Sequence, residues 1–312
     1  MAGALKVPEF LRDKIDFGDK LLPGQPDRTR VCRRDDEEPQ KIDELINESI
    51  RYRLDYWSKI GKQAMLAKCD FNPNMPDHWK RKFSDLIWDF RDCQGEDLKA
   101  ISGGVRDLAL HLGQNGAPIE PVKQRSCSKF SKEVFNMVIK AYIEANIVKL
   151  STDSCISHGF VLKKPHIPPG LPRMKTLSDL QNPAIDDLSL GKIWRLIIDQ
   201  RALNFGLQDF STPNATIREI MNVFTTDKIF ITADILNFFS QVTLSKASRW
   251  LTTFSAGYAE MTWALSRAPQ GSNSSCPACS LILKLILFGL LREGFSFSYV
   301  DNLALSDYSF EG

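Results

Sequence analysis

Four short apolar runs, at 157–163, 193–199, 229–235 and 296–301, are set among helical stripes with no regular alternation between the two. That irregular mixture constrains the fold more than any other feature of the chain. Strict strand–helix alternation builds a parallel sheet with crossover helices, whereas an irregular series points to an α+β arrangement, a mostly antiparallel sheet with helices packed on it.

The helical stripes are explicit. Ile42, Leu45, Ile46, Ile50, Leu54, Trp57, Ile60 and Ala64 recur at helical spacing and predict a helix over 42–66. The prolines of NPNMP (72–76) stop it, and a second helix is expected over 76–91, carrying Trp79, Phe83, Leu86, Ile87 and Phe90. QNGAP (114–118) marks a boundary. Beyond it a helix is expected to start near Ser131 as its cap and to end at Asn146, a residue that tolerates the left-handed conformation. Residues 165–191, rich in proline, read as an exposed excursion, because a connection this long is unusual inside a compact domain.

Composition excludes several classes. With 43% hydrophobic and 25% charged residues in 312, the chain can bury a core and is neither disordered throughout nor collagen-like. A net charge of +2 argues against a wholly basic nucleic-acid binder, but 121–201 holds thirteen Lys/Arg against seven Asp/Glu. Such a surplus is either a solvated face or a footprint for phosphates. The cluster RRDDEE (33–38) reads as part of a solvated tail. Seven scattered cysteines suggest reduced thiols in an intracellular compartment, cytoplasmic or nuclear. The apolar run 281–291 is interrupted by Lys284 and too short to span a membrane, so a buried helix is expected there.

Two aspartates stand out by their setting. Asp234 ends the run IFITAD (229–234), and Asp301 lies in FSFSYVDN (295–302). A carboxylate in such surroundings costs desolvation energy unless a cation compensates it. Side by side, two strand-end carboxylates could hold a pair of divalent cations of the kind used in phosphoryl transfer; taken singly, each reads first as an ordinary turn aspartate. Cys276 and Cys279 form CPAC, which can be a redox pair or half a zinc site. No second pair or neighbouring histidine completes such a site, and both cysteines open an apolar helix, so packing is the expected role.

The order of the motifs adds a resemblance. WRLIIDQRALN (194–204), ITADILNFFSQV (231–242), APQG (268–271) and SYVDN (298–302) follow one another as in the reverse transcriptases of gypsy-type LTR retrotransposons and retroviruses. The block 118–164 and the segment LIWDFRDC (86–93) are similar to the same polyproteins. The resemblance implies an RNA-directed DNA polymerase fold fragment of a retrotransposon Pol protein: right-hand fingers and a partial palm over 116–312, a helical linker over 41–115 and a flexible leader over 1–40. It further implies that Asp234 and Asp301 ligate two Mg²⁺ ions, and that Arg195 with Lys164 (or Lys163 or Lys192) neutralises the triphosphate of a deoxynucleotide. Phe239 would gate the sugar, and Gln270 and Gly271 would position nucleotide and template. Asp199 and Arg201 either contact template or pair with each other. Primer–template RNA or DNA and a deoxynucleoside triphosphate are the implied partners, with no membrane.

Four departures from that pattern bear on activity. Asn302 stands where the family has a second hairpin aspartate, so the site has one negative charge fewer. The sequence ends ten residues after Asn302, so thumb and RNase H segments are missing, the return strand of the hairpin is expected to be barely present, and an exposed sheet edge is expected. Residues 165–191 are an insertion, and SNSSCPAC after Gly271 is one residue longer than the family turn. Phe238 occupies a position where a small residue is usual. Reduced or absent polymerase activity is the expectation. The alternative is an inert, degenerate fragment that binds nucleic acid or protein.

Overall fold

The structure is a computed structural model, and it describes residues 27–123, 125–165, 174, 176–181, 193–213, 216–224, 229–256, 261–288 and 296–307. The strands are β1 (Arg30–Arg33), β2 (Leu108–His111), β3 (Val148–Ser151), β4 (Ser157–Lys163), β5 (Trp194–Ile198), β6 (Ile229–Asp234), β7 (Thr243–Leu244), β8 (Thr253–Ser255), β9 (Thr262–Leu265), β10 (Ser296–Tyr299) and β11 (Asn302–Asp307). The helices are α1 (Pro39–Ile60), α2 (Lys62–Leu66), α3 (Asp77–Asp89), α4 (Lys129–Glu144), α5 (Arg201–Gly206), α6 (Ile217–Val223), α7 (Phe238–Gln241) and α8 (Ser275–Ile286). The expected α+β class is what the chain adopts.

Three sheets carry the fold. One has the order β3-β9-β8-β4-β5, a second β1-β2-β7, and a third β10-β11-β6. All ladders are antiparallel except β2–β7 and β4–β8. Among the described residues one large core is flanked by two small clusters, around Ile42, Ile46 and Ile50 and around Met174 and Ile193. The large core is the one that carries the fold. It joins Val134, Phe135 and Val138 of α4, Leu108 and Leu110 of β2, Phe254 of β8, and Ala278, Cys279, Ile282 and Leu283 of α8. Among the described residues, no helix is long and apolar enough to cross a membrane.

Several sequence expectations are corrected. The first helix breaks at Gly61, whose φ of 91° is open to glycine and strained for other residues, and a short second helix follows. The helix before Asn146 is capped by Ser128, whose hydroxyl accepts from the Ser131 N–H at 3.1 Å, so the cap lies three residues upstream of the expected one. Its end is as expected, with Asn146 at φ 56°. Residues 1–26 of the expected leader lie outside the described residues, but Arg30–Arg33 is a strand that pairs antiparallel with β2. In the RRDDEE cluster, Arg34 and Asp36 are not solvated: their side chains are buried and pair at 2.5 Å. Most of 165–191 lies outside the described residues, yet Met174 is 2% exposed and packs with Ile193, Phe130 and Met137, so at that point the excursion folds onto α4.

The hairpin is more complete than expected. Its return strand β11 is six residues long and pairs with β10 on one side and β6 on the other. The register sets Asn302 opposite Asp234. Asp301 is therefore in the turn, between Tyr299 and Asn302, not within a strand.

Candidate functional site

Alternation along the β4–β5 ladder puts Lys163 and Lys164 on opposite faces. Lys163 pairs with Trp194 and Leu162 with Arg195, and the ladder continues through the Lys164 N–H, which donates to the Ile193 carbonyl at 2.8 Å. With side chains alternating between faces, Lys164 and Arg195 share one face while Lys163 lies on the other and is exposed. Lys192 lies outside the described residues. Burial and the neighbouring Arg195 guanidinium push the Lys164 ammonium below its ordinary value.

The carboxylates come from the third sheet. Asp234 closes β6, and the next residue's N–H, that of Ile235, donates to the Asp301 carbonyl at 2.9 Å, which pins the hairpin turn against the end of β6. Desolvation and the adjacent Asp301 charge raise the Asp234 carboxyl above its ordinary value. Two carboxylates that repel each other at a strand end form an oxygen donor pair whose charge a divalent cation would offset. Asn302 donates its side-chain N–H to Asp301 Oδ1 at 3.2 Å, so its amide faces the carboxylate as a donor. Among the described residues, no group of three or more His, Cys, Asp or Glu converges as a metal site. Two hard carboxylates suit Mg²⁺, which keeps water and phosphate oxygens for its other positions.

These groups meet in one cavity of about 580 Å³. Lys164, Arg195, Asp234, Phe239, Gln270 and Asp301 all line it. That volume lies within the range of small-molecule sites, roughly 300–1,000 Å³. Asn237, at φ 44°, turns the chain out of β6 into α7. Phe238 then enters the core at 1% exposure, and Phe239 remains half-buried on the cavity lining. A large Phe238 is thus accommodated as a core residue. Gly271 and Asn302 do not line the cavity. Gly271 holds the turn instead: its φ is 94°, and its carbonyl accepts from Asn204 Nδ2 at 3.0 Å. Asp199 and Arg201 pair with each other, at 2.9 and 2.5 Å.

Part of the lining is not among the candidate site residues read from the sequence. Tyr52 and Tyr56 of α1, the segment Glu96–Lys99, and Val138, Ala141 and Tyr142 of α4 complete the cavity. Burial pushes the Tyr142 phenol up, with the Arg195 charge opposing it. The helical spacing of α1 was legible, but nothing in it revealed that Tyr52 and Tyr56 face residues more than a hundred positions away.

Of the CPAC cysteines, Cys279 packs in the core and Cys276 is half-buried. Cys279 is fully buried within α8 and its thiol is pushed far up by burial, with the Cys276 charge adding to it; burial and the Asp301 charge raise the Cys276 thiol as well. Among the described residues, none of the cysteines is joined in a disulfide.

Known structures are similar to this geometry in fold. The chain superposes on the prototype foamy virus protease–reverse transcriptase in its selenomethionine-labelled CSH mutant form with a TM-score of 0.54 at 18% identity, over 79% of this chain and 28% of that one. The native enzyme gives 0.53 at 18% identity, over 78% and 28%. The foamy viral protease–reverse transcriptase in complex with an RNA/DNA hybrid gives 0.53 at 18% identity, over 80% and 29%. This chain thus spans less than a third of the length of those proteins. No protein-family model and no curated protein sequence matches it. At this identity the likeness shows the fold: a retroviral reverse-transcriptase-like α+β arrangement of fingers and palm.

Proposed function

We propose that the chain is a fingers-and-partial-palm fragment of an RNA-directed DNA polymerase of the gypsy-type retrotransposon Pol class, and that its cavity binds a deoxynucleoside triphosphate with Mg²⁺. The observation that carries this is the convergence of Lys164, Arg195, Asp234, Phe239, Gln270 and Asp301, drawn from distant parts of the sequence, on one cavity. Arg195 presents forked donors and Lys164 a point charge to the triphosphate. Phe239 offers an aromatic face to the sugar, and Gln270 an amide to the nucleotide. Asp234 and Asp301 would hold Mg²⁺, whose charge offsets that of the phosphates when it is bound. In the parent enzyme a primer–template would complete the site.

Asn302 favours a second reading, an inert fragment that binds nucleic acid or protein. It contributes no charge and donates to Asp301, where the family pattern has a third carboxylate. A single titration addresses the site. The full chain is titrated with dATP in Mg²⁺ by calorimetry, alongside Asp234→Ala and Arg195→Ala variants. Each substitution removes a charge-assisted contact worth about 1.5–3 kcal/mol, so roughly ten- to hundredfold weaker binding is expected. Binding indifferent to both substitutions would sink the site. Nucleic-acid binding that persists without any dATP binding would favour the inert reading.

A further inference from the structure

Resting on the nucleotide site proposed above, we infer that Tyr56, with Tyr52 one helical turn before it, is the base-stacking wall of the cavity, so that the ligand is recognised by a nucleobase as well as by its phosphates. The two tyrosines stand four residues apart on α1, a spacing that puts both on one face of the helix, and both line the cavity.

Their rings are held in place. Trp57 is 2% exposed and its Nε1 donates to the Gln94 carbonyl at 2.9 Å, which fixes this turn of α1 against the loop beneath it. The Tyr56 ring packs edge-to-face on Trp57 with centroids 5.0 Å apart and an interplanar angle of 82°. The Tyr52 hydroxyl donates to the Asp97 carboxylate, which also accepts from the Ala100 N–H at 3.1 Å. A ring already fixed by packing loses little entropy when a ligand stacks on it.

The charges of the lining give the ligand a direction. Lys164 and Arg195, together on one face of the β4–β5 ladder, are the lining cations that suit phosphates. The segment beside the tyrosines carries Glu96 and Asp97 instead, and its Lys99 is engaged with Glu144 at 3.4 Å. A triphosphate is repelled from that segment, whereas a neutral base is not. Desolvation and the Glu96 and Asp97 charges raise the Tyr56 phenol, so it stays a neutral hydrogen-bond donor at physiological pH. None of the reverse-transcriptase-like motifs in the sequence includes this helix.

Two probes separate base from phosphate. The full chain in Mg²⁺ is titrated with dATP and with inorganic tripolyphosphate, as native protein and as Tyr56→Ala and Tyr56→Phe. Loss of a stacking ring weakens binding by about 5- to 150-fold, so Tyr56→Ala is expected to lose dATP affinity on that scale and to keep its tripolyphosphate affinity. Tyr56→Phe keeps the ring and is expected to retain most of the dATP affinity, which guards against a folding defect in the alanine variant. Unchanged dATP affinity in Tyr56→Ala overturns the inference, and so does an equal loss of both ligands. A native chain that binds both ligands equally overturns the stacking wall and leaves the phosphate site standing. A native chain that binds neither ligand removes the site itself.

Discussion

Val300 occupies the first position of the two-residue turn between β10 and β11, at φ 56°. A β-branched residue in the left-handed region is a conformational outlier, and such strain costs about 1–3 kcal/mol. The strain falls beside Asp301, and the turn is pinned only a few atoms away by the Ile235 N–H. Replacing Val300 by glycine relieves it, less the entropy glycine adds to the unfolded chain. The Val300→Gly variant is expected to be more stable by about 1 kcal/mol, read as a higher urea midpoint with an unchanged slope. A lower midpoint would show that the valine side chain contributes more by packing than its backbone costs. The SYVDN motif was legible in the sequence, but the turn geometry was not. Alternation suggested a strand running to residue 301, and only pairing with β11 shows that Asp301 sits in the turn. Which face Lys163 and Lys164 each take was open for the same reason: a ladder register sets it, and a register is a property of two strands.

Helix α1 was foreseen from its apolar stripe, and its interior residues Ile42, Ile46 and Ile50 are buried as that stripe requires. Its partner was not foreseen, because periodicity identifies the buried face of a helix and not what covers it. The helix docks on the loop 102–105. Ser49 Oγ lies 2.8 Å from Ser102 Oγ and accepts from the Gly103 N–H at 3.0 Å. At Gly103 the backbones approach so closely that an added Cβ would meet Ile46 Cα at 2.7 Å. Rigid helix backbone on one side and a hydrogen-bonded loop on the other leave little room to yield. Gly103→Ala is expected to cost about 1–3 kcal/mol, the usual range for overpacking. The effect should be local first: amide exchange in residues 42–50 should accelerate more than in β4 or β5. Uniform acceleration across the chain would mean that α1 has no independent docking equilibrium. This docking also fixes Tyr52 and Tyr56 on the cavity, so the same variant reports on how far the helix holds the site.

At the scale of the molecule, the expected leader, linker and polymerase segments share one structure. The sheet β1-β2-β7 takes one strand from each of them, and a buried ion cluster ties the same three together. Arg34 and Asp36 come from the first, the carbonyls of Ser102 and Gly103 from the second, and Arg249 and Arg267 from the third. Arg267 is 1% exposed, donates to the Ser102 carbonyl at 2.5 Å and to Thr243 Oγ1 at 2.8 Å, and is pulled down to about 9 by burial and the nearby guanidiniums. The mixed-charge RRDDEE run looked solvated because composition cannot show that its Asp36 faces Arg249 and Arg267 from elsewhere in the chain as well as its own Arg34.

Burial alone would raise the Asp36 carboxyl, but the Arg34 hydrogen bond and charge, with Arg267 and Arg249, hold it below its ordinary value. The sign of the linkage follows from that depression. The stabilisation is fully present above the unfolded carboxyl value of about 3.9 and is lost as pH falls through the lower folded value. Asp36→Asn removes the counter-charge and leaves the guanidiniums buried. Breaking a buried pair in this way costs about 3–5 kcal/mol. The variant is therefore expected to unfold at a much lower urea concentration at pH 7, and the gap from native should narrow only as pH drops below 4. Because the cluster binds all three segments, the loss should appear as one transition in which α1, the β4–β5 ladder and α8 melt together. A variant in which residues 27–60 detach while the rest stays folded would show that the N-terminal segment is an appendage, and that the cavity can exist without its tyrosine wall.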